Sequence, residues 1–267
     1  MVKNILVLGA SGTVGTAVFQ MLSRRKELHV VGTFFSAGRQ ESPSMRRFAL
    51  GMDLLPLLRQ VRPDVIVSAL RGDFGEQLSA HETAADYLKE HGGKIIFLST
   101  VNVFDGSMDR PHYEEDPREP ASGYGRFKMQ CEDLLRERLN RQAVILRLPF
   151  VWGRNSPRMQ AVSAGCAAGQ LEVYDIQSNH ASDLQAAELI AWIILEDQSG
   201  TFHAGTQDVI DYRQFIERLI AAMGAKKPRF VQGEAHGVMA ALNSRTDLPH
   251  RTLSWDSERL IQYLCTP

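Results

Sequence analysis

Cysteine is scarce in this sequence of 267 residues, and no long hydrophobic run is present. The three cysteines, Cys131, Cys166 and Cys265, have no paired spacing, so they predict neither a disulfide framework nor a zinc site, and we expect no metal. The longest apolar stretches, such as residues 191–195, are far too short to span a membrane. The formal net charge of -1 argues against a nucleic-acid or anionic-membrane partner.

No signal-peptide layout precedes the first strand-like run at residues 4–8. The hydrophobic fraction of 44% and the charged fraction of 23% are those of an ordinary globular protein. The unpaired cysteines fit a reducing compartment. We therefore expect a soluble, cytoplasmic protein that binds a small molecule.

Strand-like and helical segments alternate through the first half of the sequence. The predicted strands lie at residues 4–8, 29–35, 65–69, 94–99 and 143–148, and the predicted helices lie at 13–22, 54–61, 77–91 and 124–139. This alternation predicts an α/β fold with a doubly wound parallel sheet, a Rossmann fold. We expect a dinucleotide-binding domain over residues 1–150 and a smaller substrate lobe over 151–267. A segment around 176–200 is expected to return to the first domain.

A glycine-rich turn follows the first strand and opens the first helix. Gly9, Gly12 and Gly15 are spaced three apart, and small residues there let a backbone reverse tightly and approach a pyrophosphate. The amide groups of the new helix would face the phosphates. The turn predicts a bound nicotinamide dinucleotide, with a ligand-free glycine turn as the alternative. The predicted cofactor contacts in this turn are Gly9, Ser11, Gly12, Thr13, Val14 and Gly15.

The end of the second strand carries no acidic residue, which favours NADP over NAD. Ser36 and Arg39 could bind the 2′-phosphate, although Arg39 could equally be a solvated loop charge. Asp53 could contact the adenine edge or cap the helix that begins near Leu54.

A phenol and an ammonium lie four residues apart on the helix predicted over residues 124–139. Tyr124 and Lys128 therefore share one helix face, where the positive charge would favour the phenolate and lower the tyrosine pKa. Thr100 follows a buried strand, at the edge where ligands bind in such folds, and could hydrogen-bond a substrate carbonyl. The alternative for Thr100 is a turn hydroxyl that caps local backbone.

Three segments together resemble one family. They are STVNVFDG (residues 99–106), PHYEEDPREPASGYGRFK (111–128) and LRLPFVWG (146–153). The sequence resembles the extended short-chain dehydrogenase/reductases, most closely the dTDP-4-dehydrorhamnose reductase family, over residues 1 to about 153. The resemblance implies hydride transfer from NAD(P)H to a keto group of a nucleotide-linked deoxysugar.

The resemblance also implies roles for individual residues. Tyr124 would protonate the developing alkoxide, Lys128 would tune Tyr124 and hold the ribose, and Thr100 would orient the carbonyl. The remaining cofactor contacts that it implies are Ala69, Leu70, Pro149 and Val151. Members of the family often dimerise through helices beside the sheet, so a homodimer is the assembly that the resemblance suggests.

The substrate side departs from the family pattern. Val101 and Asn102 replace an aspartate and a tyrosine that face the sugar, and Arg71 in a shortened loop could clamp a phosphate or carboxylate. His81 replaces an asparagine that supports a proton relay, unless it is a plain surface histidine. Two alternatives stay open. One is a sugar-nucleotide epimerase, and the other is a non-catalytic NADP-binding regulator or sensor, like the β subunit of methionine adenosyltransferase.

Overall fold

The computed structural model describes residues 2–35, 41–249 and 254–266. Its contacts divide the chain into two compact units. The first comprises Met1–Ser99, Arg126–Leu146 and Ala187–Phe202. The second comprises Thr100–Gly125, Arg147–Ala186 and His203–Pro267.

The strands are β1 (Lys3–Leu8), β2 (Leu28–Phe34), β3 (Met45–Arg47), β4 (Val65–Ser68), β5 (Lys94–Thr100), β6 (Ala143–Leu148), β7 (Phe150–Trp152), β8 (Gln170–Ser178), β9 (His180–Ser182), β10 (Thr201–His203), β11 (Ile210–Asp211) and β12 (Arg229–Met239). The helices are α1 (Thr13–Ser23), α2 (Leu55–Val61), α3 (Phe74–His91), α4 (Gly123–Leu139), α5 (Pro157–Ala168), α6 (Asp183–Leu195), α7 (Tyr212–Ala222) and α8 (Ser257–Cys265). Short 3₁₀ helices span Val101–Phe104 and Asn140–Gln142.

A seven-stranded sheet in the order β10-β6-β5-β4-β1-β2-β3 forms the frame of the first unit. The strands β1, β2, β3, β4 and β5 pair in parallel, with Leu6 opposite Ile66 and Val7 opposite Gly32. The side chains of β1 from Ile5 to Leu8 are fully buried, as expected for a strand covered on both faces. The predicted doubly wound parallel sheet is confirmed.

The strand order reverses beside β1, because β2 lies on one side of it and β4 on the other. In open parallel sheets the crevice at such a switch point, beyond the carboxyl ends of the strands, is where ligands bind. The glycine turn follows the carboxyl end of β1. The topology therefore puts this turn where a dinucleotide is expected.

Two small sheets lie in the second unit. One has the order β11-β8-β12, and the other pairs β7 with β9 in parallel. A separate apolar cluster surrounds them, with Trp152, Phe215 and Leu260 fully or almost fully buried. This unit therefore has a hydrophobic core of its own.

The division into units differs from the domains predicted at residues 1–150 and 151–267 in the placement of Thr100–Gly125. Residues Thr100–Gly125 group with the second unit, and Ala187–Phe202 group with the first. The second of these segments overlaps the stretch around 176–200 that was expected to return to the first domain, and the physical reason is that α6 leads into β10, which lies beside β6 at the edge of the seven-stranded sheet. Among the described residues, no helix is long and apolar enough to cross a membrane.

Candidate functional site

The glycine turn after β1 is shaped by close backbone packing at two of its three glycines. A Cβ on Gly9 would lie 2.6 Å from the Ala69 carbonyl oxygen, and one on Gly15 would lie 2.1 Å from the Gly9 carbonyl oxygen. Gly9 also has a φ of +78°, and its N–H donates to Thr33 Oγ1 at 2.8 Å. Both glycines are thus required by the fold itself.

Gly12 differs from its two neighbours in the motif. The nearest protein atom to a Cβ at Gly12 would be 3.5 Å away, an ordinary van der Waals distance. Packing inside the protein therefore does not demand glycine there. Gly12 instead lines a cavity, where the missing side chain leaves the backbone open to close approach by a ligand.

The cavity has a volume of about 390 Å³ and lies within the first unit. Six of the predicted site residues line it: Gly9, Ser11, Gly12, Ala69, Leu70 and Arg71. Phe34, Phe48 and Leu50 add an apolar wall that the sequence did not single out. The exposed backbone of the glycine turn suits the phosphates of a dinucleotide, and the apolar side chains beside it suit an adenine ring. These residues therefore fit a dinucleotide.

The remaining predicted residues of the turn begin α1. Thr13, Val14 and Gly15 form the first helical turn. The N-cap residue is Gly12, which has no side chain that could cap the helix. The amide groups of a first turn have no partner within their own helix. Their partial positive charge favours an anion at this end of α1.

Asp53 caps a helix rather than lining the cavity. Its Oδ1 accepts a hydrogen bond of 2.9 Å from the Leu55 N–H at the start of α2. The sequence left two roles open for Asp53, a contact to the adenine and a helix cap. The hydrogen bond to Leu55 is that of a helix cap. Ser36 and Arg39, the predicted 2′-phosphate contacts, lie outside the described residues.

Lys128 is deeply buried on α4. Its Nζ donates to the Leu98 carbonyl oxygen at 2.9 Å and lies 4.6 Å from the centre of the Phe97 ring. Burial lowers the pKa of Lys128 to about 8, while Cys131 and Glu132 oppose the shift and the positive charge of Arg71 adds to it. The ammonium is thus fixed against β5 and close to a physiological titration range.

His81 is fully buried on α3, so the interpretation of it as a surface histidine is wrong. Its Nε2 lies 2.7 Å from Ser68 Oγ, and Cys131 Sγ lies 4.0 Å from its Nδ1. Burial, followed by the charge of Lys128, lowers the pKa of His81 to about 3. The imidazole is therefore neutral at physiological pH.

A short chain of polar groups holds Thr100 at the end of β5. Thr100 Oγ1 accepts from the Asn102 N–H at 3.2 Å and donates to Asn102 Oδ1 at 2.9 Å. Asn102 Nδ2 donates in turn to Asp105 Oδ2 at 3.3 Å. The Thr100 hydroxyl therefore caps a local turn in this structure, as the alternative from the sequence proposed, and Asn102 orients it.

The first turn of α4 packs closely against the turn that contains Thr100. A Cβ at Gly125 would lie 2.2 Å from the Asn102 carbonyl oxygen, so only glycine fits there. Ser122 Oγ accepts from the Gly125 N–H at 2.9 Å and so caps the helix. Tyr124, between these two residues, is 42% exposed. A single helix carries Tyr124 and Lys128, so their spacing of four residues puts both on one face.

The other predicted substrate and cofactor residues lie in the second unit. The strand β7 begins directly after Pro149. Val151 is its middle residue and is partly buried. Val101 is 3% exposed at the start of the 3₁₀ helix.

Glu132 is a buried carboxylate that was not predicted from the sequence. It is fully buried on α4, accepts from Ser99 Oγ at 2.6 Å and lies 3.6 Å from Arg136 Nη2. Its position four residues after Lys128 was a usable signal, because residues four apart share a helix face. Its negative charge also opposes the lowering of the Lys128 pKa.

Comparison with known proteins places this geometry in a family. A family model described as the RmlD substrate binding domain matches residues 73–247, more than half of the chain. A Streptomyces niveus protein named dTDP-4-keto-6-deoxy-D-glucose reductase is 25% identical over 240 residues, which are 83% of this chain and 80% of that protein.

A second relative has a different activity in its name. The Escherichia coli O157:H7 protein named N-acetyl-alpha-D-glucosaminyl-diphospho-ditrans,octacis-undecaprenol 4-epimerase is 27% identical over 210 residues. The match covers 72% of this chain and 62% of that protein, so this chain spans less than two thirds of that relative.

A solved structure supports the fold. The crystal structure of dTDP-4-dehydrorhamnose reductase from Bacillus anthracis str. Ames in complex with NADP superposes with a TM-score of 0.74 at 15% identity and covers 98% of both chains.

Proposed function

Because the chain belongs to the RmlD substrate binding domain family, we propose that it reduces a keto group on a nucleotide-activated deoxysugar with a nicotinamide cofactor. The observation that carries the proposal is the arrangement of α4. This helix bears Tyr124 and Lys128 on one face and begins directly against the turn that holds Thr100. The cavity beside Gly12 supplies a fitting place for the dinucleotide.

Each catalytic residue has a distinct part in the proposed reaction. The reduced nicotinamide, when bound, supplies the hydride. The exposed phenol of Tyr124 donates a proton to the oxygen of the reduced carbonyl, and the Lys128 ammonium favours the phenolate that this leaves. The Thr100 hydroxyl shares its hydrogen between Asn102 Oδ1 and the carbonyl oxygen of the substrate, so that Asn102 keeps the hydroxyl in place while the hydroxyl orients the carbonyl.

We further propose that NADP is preferred to NAD. The end of β2 reads Thr33-Phe34-Phe35, without a carboxylate that would repel a 2′-phosphate or bind a free ribose. Comparing the dissociation constants of NADPH and NADH for the wild-type chain tests this preference. The cytoplasmic location and the homodimer stay predictions.

Epimerisation of a related sugar is the second candidate, and the match to the 4-epimerase favours it. The substitutions at Val101 and Asn102 leave the identity of the sugar open to either reading. The two activities differ in their use of the cofactor. A reductase consumes NADPH in proportion to product, whereas an epimerase forms product with no net oxidation of cofactor.

The deciding experiment follows NADPH oxidation with dTDP-4-keto-6-deoxy sugars, together with product analysis. Tyr124→Phe should lower kcat by a factor on the order of 10²–10⁴, as expected for loss of a general acid. Tyr113→Phe is a matched control, because Tyr113 is also 42% exposed and should keep full activity. Tight NADPH binding without turnover of any of a panel of carbonyl compounds would contradict the reductase proposal and favour a non-catalytic NADPH-binding protein.

A further inference from the structure

Arg71 is a cation at the mouth of the dinucleotide cavity with no assigned partner. It lies in the loop between β4 and α3 and lines the cavity together with Gly9, Ser11 and Gly12. Within residues 2–35, 41–249 and 254–266, its guanidinium makes neither a hydrogen bond nor an ion pair with another side chain or with the backbone. It is also the only lysine or arginine among the described residues that line this cavity.

The loop that carries Arg71 is held on both sides. Leu70 is 9% exposed, and the Gly72 carbonyl oxygen accepts from Gln77 Nε2 at 2.9 Å. Asp73 Oδ1 accepts from the Glu76 N–H at 3.0 Å and so caps α3. With its neighbours fixed by these contacts, the exposed Arg71 side chain is carried on a rigid base.

We propose that the Arg71 guanidinium pairs with the pyrophosphate of the bound dinucleotide. The inference rests on the proposed function, because it requires the dinucleotide in this cavity. A guanidinium binds phosphate oxygens in a bidentate, charge-assisted manner. From its sequence position Arg71 was predicted to contact the substrate, but the cavity that it lines is the one formed by the glycine turn.

The strand order separates the pyrophosphate from the 2′-phosphate as the partner of Arg71. Arg71 follows β4, which lies on one side of β1, whereas β2 lies on the other side. In this fold the ribose hydroxyls, and any 2′-phosphate, are bound at the end of β2, and the pyrophosphate is bound at the turn after β1. Arg71 is therefore a contact for the part that NADPH and NADH share.

The electrostatics of Lys128 agree with this position. The charge of Arg71 acts together with burial to lower the pKa of Lys128, so the guanidinium lies within electrostatic reach of the buried ammonium. The Asp73 carboxylate also lines the cavity, but its Oδ1 accepts from the Glu76 N–H at the start of α3, which leaves Arg71 as the side chain that can attract an anionic ligand there. A pyrophosphate beside Arg71 would offset the repulsion that it exerts on Lys128.

Dissociation constants, measured by fluorescence quenching or calorimetry on the full chain, test the proposal without reference to turnover. The probes are NADPH, NADH, ADP and adenosine. Arg71→Gln should weaken NADPH, NADH and ADP by a similar factor of about ten, the value for one charge-assisted contact, and leave adenosine unchanged. Arg71→Lys should weaken them less, because the charge remains and the bidentate fork is lost.

Arg24→Gln is the matched control, since Arg24 is an exposed arginine at the opposite end of α1 and should bind all four probes as wild type does. Loss of NADPH affinity alone would assign Arg71 to the 2′-phosphate and overturn the proposal. Unchanged dinucleotide affinity with a raised KM for the keto sugar would show that Arg71 contacts the substrate, and it would also overturn the proposal. Failure of the wild-type chain to bind any dinucleotide would instead refute the proposed function.

Discussion

The two units of this chain bury polar groups in different ways. In the first unit, the buried carboxylate of Glu132 is satisfied by Arg136 on its own helix and by Ser99 on a strand of the adjoining sheet. In the second unit, the buried carboxylate of Glu114 accepts from the His203 N–H at 3.3 Å and from the Ser244 N–H at 2.8 Å. Glu114 therefore joins segments 89 and 130 residues away along the chain.

Other buried groups of the second unit also make long-range contacts. Arg147, which is 1% exposed, donates to the Glu114 carbonyl oxygen at 3.2 Å, and its guanidinium lies 5.0 Å from the centre of the Phe104 ring. Asn179 Nδ2 donates to the Ala241 carbonyl oxygen at 2.7 Å, 62 residues away. Side chains that bind distant backbone thus hold the irregular segments of this unit in place.

The largest expected effect concerns stability, and it tests whether loss of the Glu114 carboxylate lowers the free energy of unfolding more than loss of the Glu132 carboxylate. Glu114→Gln should lower the free energy of unfolding by about 3 kcal/mol. The new side-chain NH₂ group must face the backbone N–H of His203 or Ser244, and a backbone N–H can only donate, so two donors are left facing each other. Glu132→Gln should cost about 1–2 kcal/mol, since the Ser99 hydroxyl can rotate and accept instead. Urea unfolding of the full chain measures both values.

The exposed neighbour Glu115 supplies the control for this comparison, and Glu115→Gln should leave the unfolding free energy within about 0.5 kcal/mol of wild type. Equal losses for Glu114→Gln and Glu132→Gln would contradict the proposed difference between the units.

This contrast explains how far the sequence could predict the fold. In the first unit, continuous apolar runs such as β1 and the helical spacing of α1 carry the architecture, and both are visible locally. The strands β8 and β12 of the second unit were not predicted. Their exposed and half-buried positions show neither a continuous apolar run nor clean alternation, and they are paired by long-range contacts.

The candidate site was predictable to the same uneven degree. The glycine turn and the pair Tyr124 and Lys128 follow fixed spacings, so the sequence could indicate them. The apolar wall of the cavity comes partly from Phe48, after the three-residue strand β3. No local pattern predicts so short an edge strand, and a side chain that it delivers to a cavity is known only from the fold.

Acid should affect both units in the same way, through a buried histidine in each whose pKa is strongly lowered. Burial lowers the pKa of His81 in the first unit and of His180 in the second to about 3. The unfolded state therefore binds more protons between pH 6.5 and pH 3, and stability falls as the pH falls through this range. Each histidine should remove on the order of 2 kcal/mol of unfolding free energy between pH 7.5 and pH 5.

Urea unfolding at pH 7.5 and pH 5 measures this slope for wild type, His81→Gln and His180→Gln. Each substitution lowers stability at pH 7.5 but should reduce the loss on acidification by a similar amount. A smaller slope in only one of the variants would show that the other histidine does not stay neutral when folded.

The smallest expected effect concerns the orientation of Thr100, the residue proposed to bind the substrate carbonyl. Asn102 holds the Thr100 hydroxyl through Oδ1 at 2.9 Å and is itself held by Asp105. Asn102→Ala should lower kcat about three- to fivefold, because the hydroxyl loses its orientation, a loss of up to about 1 kcal/mol. Stability should change little, so a structural role alone would not produce the fall in kcat.

A double-mutant cycle decides whether Asn102 acts through Thr100. Thr100→Val removes the hydroxyl, so Asn102→Ala should have almost no further effect on kcat in that background, with a coupling energy of about 1 kcal/mol. Additive effects of the two substitutions would mean that Asn102 contacts the substrate directly. In that case the residue would determine sugar specificity, as the sequence analysis expected, rather than position Thr100.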